Sequence, residues 1–136
     1  MERKKYLPFE SPQQKVLFGR IRALCLSLPG TSERLSHGAP AFFIQEKRSF
    51  VMFQNNHHGD GRIALWCASE PDLRNMLAET DPEQYFVPPY VGRLGWIGVR
   101  LDRDAAWDEI ASVILAAYKL RAPKKWQDAV SSVSID

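Results

Sequence analysis

The chain opens with apolar residues at helical spacing. Leu17, Ile21, Leu24 and Leu28 recur three or four positions apart and form one stripe. Ser11 before Pro12, with Gln14 three positions after the serine, has the S-x-x-Q pattern of a capping box with proline at the first helical position. Pro29-Gly30 stops this helix. A β region follows over residues 33–38 and 41–45. Pro40 interrupts it and, lacking an N–H for a ladder, argues for an edge position or a bulge. After the polar turn Glu46-Lys47-Arg48, residues 49–54 predict a strand carrying Phe50, Val51 and Phe53. Residues 55–61 form a loop ending in Asp60-Gly61, a hairpin signal, and residues 62–68 predict a further strand. Helical signals return at Ser69, a candidate cap, with Pro71 in the first turn and Leu73, Met76 and Leu77 as the apolar face. Pro88-Pro89 argues against a central strand through that segment, and residues 96–101 predict the last strand. Asp104 is a candidate cap for a third helix, whose stripe is Trp107, Ile110, Ala111, Ile114, Ala117 and Tyr118. Pro123 ends or kinks it, and the tail from Lys124 predicts a further helical turn or a mobile end.

The order is α-βββ-α-ββ-α. Strands grouped between single helices, without a repeated βαβ unit, point to an α+β fold: two layers, one antiparallel sheet, helices packed on one face. The 136 residues fit one domain, with a core over about residues 12–122. The content of 45% hydrophobic and 25% charged residues suffices for a packed core. A net charge of +2 and a pI near 8.6 exclude a globally basic nucleic-acid binder and leave only a local basic patch. Cys25 and Cys67 lie far apart in no metal-binding spacing and read as buried thiols. No apolar stretch follows the charged start and no run is long enough to span a bilayer, so the expected location is the cytoplasm, without membrane contact.

Strand alternation yields the first candidate site. If Ile63, Leu65, Cys67, Ile97, Val99 and Leu101 face the helices, then Trp66, Trp96 and Arg100 project from the open sheet face, joined by Phe43 and Gln45. Such a face is a platform for stacking bases, with arginine on phosphate. The alternative is a surface covered by residues 88–95, by the tail or by a second copy. The turns add Lys47, Arg48 and Arg62, with Arg34 nearby, as basic hairpin tips able to contact a nucleic-acid backbone. His57-His58 could suggest a metal, but adjacent residues of an extended chain point opposite ways and no further ligand stands at useful spacing; no metal site is expected. His37 near Glu33 could serve acid–base chemistry, yet no motif places a nucleophile beside it, and G-x-S-x-G, G-x-G-x-x-G and phosphate-loop patterns are absent. No catalytic residue and no cofactor are assigned.

Leu28-Pro29-Gly30-Thr31-Ser32-Glu33 followed by His37-Gly38-Ala39-Pro40-Ala41-Phe42 resembles the N-terminal signature of the MmcQ/YjbR family. Phe86-Val87-Pro88-Pro89-Tyr90-Val91-Gly92 and Gly95-Trp96-Ile97-Gly98-Val99-Arg100-Leu101-Asp102 resemble its second signature, and Tyr118 its closing pattern. The resemblance spans roughly residues 12 to 122. It implies a two-layer fold similar to that of secretion chaperones. It also implies the DNA-binding label that family members carry through two wing-like hairpins, and it brings no agreed catalytic residues.

The leading expectation is a non-enzymatic binding module that binds DNA weakly through Arg34, Lys47, Arg48, Arg62 and Arg100, with Trp66 and Trp96 stacking. A second is a small-molecule or catalytic pocket built from His37, Tyr90, Trp96 and Arg100. A third is a protein-interaction module, or a homodimer through the open sheet face.

Overall fold

A computed structural model of the chain describes residues 12–128 and 130. Helix α1 (Pro12–Ser27) leads into strands β1 (Thr31–Ser36), β2 (Ala39–Ile44), β3 (Arg48–Asn55) and β4 (Ile63–Cys67). Helix α2 (Pro71–Thr80), strands β5 (Tyr85–Phe86) and β6 (Ile97–Arg100), helix α3 (Trp107–Arg121) and the short helix α4 (Lys124–Gln127) complete it. The six strands form one antiparallel sheet in the order β1-β2-β3-β4-β6-β5, with the helices on one side. The expected α+β architecture is therefore present.

Strand alternation makes the core. Phe42, Val51, Cys67 and Ile97 lie in one row across the sheet, and Phe53, Leu65, Val99 and Tyr85 in the next. All are buried, and the stripe Ile21, Leu24, Cys25, Leu28 of α1 and Ile110, Ile114, Ala117, Tyr118 of α3 joins them in one cluster. Two aliphatic faces meeting this way remove apolar surface from water, the main favourable term in folding. Tyr118 is fully buried, and its hydroxyl donates to the Pro29 carbonyl at 2.7 Å, so the polar tip of the ring is satisfied.

Local details depart from the sequence reading. The β region around Pro40 is two strands rather than one, because His37 (φ 52°) and Gly38 (φ 80°) both take the left-handed conformation of a tight two-residue hairpin turn. The β2–β3 ladder begins at Ala41↔Met52, so Pro40 lies outside it, and the register shift falls at Phe42/Phe43 instead. Residues 55–61 are not a two-residue Asp-Gly hairpin. His57–Gly59 forms a 3-10 turn, and Asn56 closes the loop through its N–H to the Arg62 carbonyl and its Oδ1 to the Gly61 N–H. Neither predicted cap is a cap: α2 starts after Glu70 and α3 after Ala106, while Asp104 takes a left-handed turn. The capping box headed by Ser11 lies outside the described residues. After Pro123 the chain makes one further helical turn, α4, which seats Trp126 against Gly30.

Candidate functional site

The outer sheet face is not open where the tryptophans stand. Every residue of β4 is buried, Trp66 to 3% exposure, and Trp96 is exposed by only 4%. The physical reason is a cover made by the chain itself. The His57 ring packs edge-on to Trp66 at 4.6 Å, and the Tyr90 ring lies 5.9 Å from His57 and 6.4 Å from His58. Gly98, opposite Trp66, has no room for a Cβ because the Phe86 ring lies on it, and the Arg62 guanidinium caps that ring at 4.0 Å. Residues 87–95 are tied down by Arg74 of α2, which donates to the Gly92 carbonyl at 2.6 Å. At the other side of the sheet Arg34 lies 3.6 Å above Phe43. Trp66 and Trp96 are thus corrected from exposed stacking residues to buried ones.

The expected basic residues divide between two ends of the sheet. Register places Arg100 beside Ala64, near the 56–62 loop, with Ile97 and Cys67 toward the opposite end. Arg100 makes a two-pronged ion pair with Asp102, both N···O distances 3.0 Å. The hydrogen bonds that Arg100 donates to Asp102 raise the pKa of Arg100. Burial alone would raise that of Asp102, but the Arg100 hydrogen bonds and charge hold it below the ordinary carboxylate range. Arg62 stands at that end too, 4.0 Å from Asp60. His37 caps the β1–β2 turn in solvent. Tyr90, Trp96, Arg100 and His37 therefore do not converge on one pocket. A cleft of about 450 Å³ does form at Tyr90, lined by His57, His58, Asp60, Arg62, Val87 and Pro89.

The β2–β3 hairpin occupies the other end. Arg34 donates to the Glu46 carbonyl at 2.9 Å, which leads to Lys47 and Arg48. Arg48 donates to the Arg121 carbonyl at 3.2 Å, and Arg121 donates in turn to the Ser49 carbonyl at 3.2 Å. Two guanidiniums are thereby held together by backbone oxygens rather than carboxylates. Burial, then the charge of Arg48, lowers the pKa of Arg121. Lys124 and Lys125 follow on α4. Among the described residues the ion pairs are Arg22–Glu33, Arg62–Asp60 and Arg100–Asp102, and none neutralises this group.

The remaining chemistry is inert or structural. Burial raises the pKa of both thiols, with the neighbouring Cys67 adding to the effect on Cys25, which keeps them protonated and unreactive. The Tyr85 hydroxyl is pushed up to about 12 by burial and by Glu109. Among the described residues no three His, Cys, Asp or Glu side chains group to hold a metal ion. No described helix is long and apolar enough to cross a membrane.

A family model described as YjbR matches residues 26–120, well over half of the chain. The chain belongs to the YjbR family. A crystal structure of the Deinococcus radiodurans protein DR2400, titled as carrying the family-model domain DUF419, superposes on this YjbR chain with a TM-score of 0.65. It is 16% identical and covers 82% of this chain and 85% of the other. At that identity the likeness is one of fold. No curated protein matches the sequence. Sequence reading of the YjbR domain missed Arg121 as a partner of the hairpin, although the basic run Arg-Ala-Pro-Lys-Lys was a visible signal. It also missed Gln54, a polar residue inside an apolar strand, whose alternation puts it on the same face as Trp66.

Proposed function

We propose that this YjbR domain is a binding module that docks its β2–β3 hairpin end on the phosphate backbone of nucleic acid. The observation that carries the reading is the cation group Lys47, Arg48 and Arg121, with Arg34 at its margin, Lys124 and Lys125 following in the chain, and, among the described residues, no carboxylate ion-paired to any of them. Like charges gathered without a counter-charge repel, and an external anion relieves that repulsion. Each guanidinium has five N–H groups and spends one here on a backbone carbonyl, so the fork that suits phosphate oxygens remains available. The burial of Trp66 and Trp96 removes base stacking from this surface, so the contact is with backbone rather than bases and is indifferent to sequence. The module-wide charge of +2 is small, which fits weak binding.

Fluorescence anisotropy of labelled double-stranded DNA tests the reading. Binding at low salt that weakens steeply toward physiological salt is the expected result, and Arg48→Glu, at an exposed site, weakens it further. Absence of binding at low salt, or binding that Arg48→Glu leaves unchanged, removes the reading.

A further inference from the structure

Two buried polar atoms on the outer sheet face have no hydrogen-bond partner among the described residues: the Trp66 Nε1–H donor and the Gln54 Oε1 acceptor. Both side chains are more than nine-tenths buried. They stand one diagonal step apart on neighbouring strands, since Met52 pairs with Trp66 and Gln54 with Ala64. Buried polar groups are ordinarily satisfied, so a donor and an acceptor orphaned on one small area call for a partner with the complementary pair. What covers the Trp66 indole is the His57 ring, set edge-on to it at 4.6 Å.

The cover is held in unfavourable backbone. His58 is left-handed at φ 50°. Tyr90, at φ 63° and ψ −69°, closes a three-residue turn in which the Val91 N–H donates to the Pro89 carbonyl at 2.7 Å. That γ-turn of positive φ is strained for any residue with a Cβ. Tyr90 gains little packing in return, being 69% exposed. The ring stands at the mouth of the 450 Å³ cleft, whose walls are the two histidines, Val87 and Pro89. Asp60 and Arg62 at its rim carry opposite charges, so the cleft favours neither strong anions nor strong cations.

We propose that this covered cleft binds a planar heteroaromatic ring of the nucleobase type, which displaces His57 from Trp66 and pairs its adjacent acceptor and donor with Trp66 Nε1–H and Gln54 Oε1. The chemistry selects the class. A pyrimidine or purine edge carries a carbonyl or ring nitrogen next to an N–H, whereas a carboxylate has no donor and an ammonium no acceptor. Its flat face matches the exposed Tyr90 ring, and stacking on an aromatic serves every base. Lifting the 57–59 turn releases strain at His58 as the new contacts form. The site lies at the sheet end away from the Lys47 hairpin, and its occupancy does not depend on that hairpin touching phosphate.

A free nucleoside and an unpaired base in a strand offer the same ring, so both are probes. The full chain is titrated with uridine, adenosine and a short oligothymidine, followed by tryptophan fluorescence and calorimetry at low and high salt. Saturable binding of a nucleoside, insensitive to salt because it carries no phosphate, is expected; saturation by the oligonucleotide alone assigns the ring to a strand. Trp66→Phe keeps a ring but removes the donor and lowers affinity about tenfold, the worth of one hydrogen bond. Tyr90→Ala lowers it comparably, and a loss there is not a folding defect because the side chain is exposed. No saturation by any probe, or affinity unchanged in both variants, overturns the proposal. So does a crystal structure in which an ordered water bridges Trp66 and Gln54 and persists after a nucleoside soak, since the orphaned atoms would then be satisfied by buried water alone.

Discussion

Arg100 began as a phosphate ligand and is already committed. Asp102 lies two residues on, at the end of the strand, where extended chain places i and i+2 on one side, and the two side chains make a paired ion contact at 3.0 Å. The consequence is measurable through pH. Asp102 has its pKa below the ordinary value of 3.8 in the folded protein. A carboxylate whose folded pKa is depressed contributes stability that is fully present above the unfolded pKa, and that contribution fades as pH falls through the folded value. Asp102→Asn is therefore expected to destabilise the protein by about 1–2 kcal/mol at pH 7, since the pair is partly solvated and its hydrogen bonds are charge-assisted. In urea titrations the gap between wild type and variant shrinks only below about pH 4. A gap that stayed constant down to pH 2 would show that lost packing, not the ion pair, accounts for the difference. Arg34 and Arg62 are committed in another way, each laid on an aromatic ring, Phe43 and Phe86. Their charge was plain in the sequence. Their partners, on other strands, were not.

Among the elements, α4 owes its seat to one glycine. Gly30 sits at φ +72° directly under the Trp126 ring, so a Cβ there would meet both an unfavourable backbone and the indole. Gly30→Ala is expected to cost about 2 kcal/mol and to expose Trp126, seen as a red-shifted tryptophan emission together with a lower urea midpoint. An unshifted emission with an unchanged midpoint would mean that α4 does not rest on this contact. Gly30 itself was legible as a helix stop, because Pro29-Gly30 follows a regular stripe; the ring above it was not, because the tail has no periodicity. The same division runs through the fold. Helices α1 and α3 follow from their stripes, and the core faces of β4 and β6 from alternation, because burial against one layer imposes a period. The β1–β2 turn was hidden because His37 takes a conformation that sequence rules reserve for Gly, Asn and Asp. The cap assignments failed because Ser69 and Asp104 have the right chemistry one or two residues too early. The outer face was misread because alternation says which side a residue points to, not whether a distant loop returns to cover it.

Taken as a whole, the molecule uses its two sheet faces differently. The helical side is closed by the core, and the outer side is closed by rings and guanidiniums from its own loops, which leaves chemistry to the two ends of the sheet. At one end Lys47, Arg48 and Arg121 gather positive charge with only Glu46 in the same turn. At the other, Asp60 offsets Arg62 and Asp102 offsets Arg100, so the field is near neutral around the aromatic cleft. Division of charge on a chain of net +2 makes a prediction that neither end makes alone. Each phosphate contact releases condensed counterions and adds about 0.9 to the slope of log affinity against log salt. Replacing Lys47 and Arg48 together by glutamate is expected to flatten that slope for double-stranded DNA by about 2, while nucleoside binding stays within about twofold of wild type. Tyr90→Ala is expected to do the reverse, weakening nucleosides and leaving the salt slope of duplex binding unchanged. If the glutamate pair also abolished nucleoside binding, both ligands would occupy one continuous surface. The structure argues against that, because the hairpin turn and the 57–59 turn close opposite ends of strand β3.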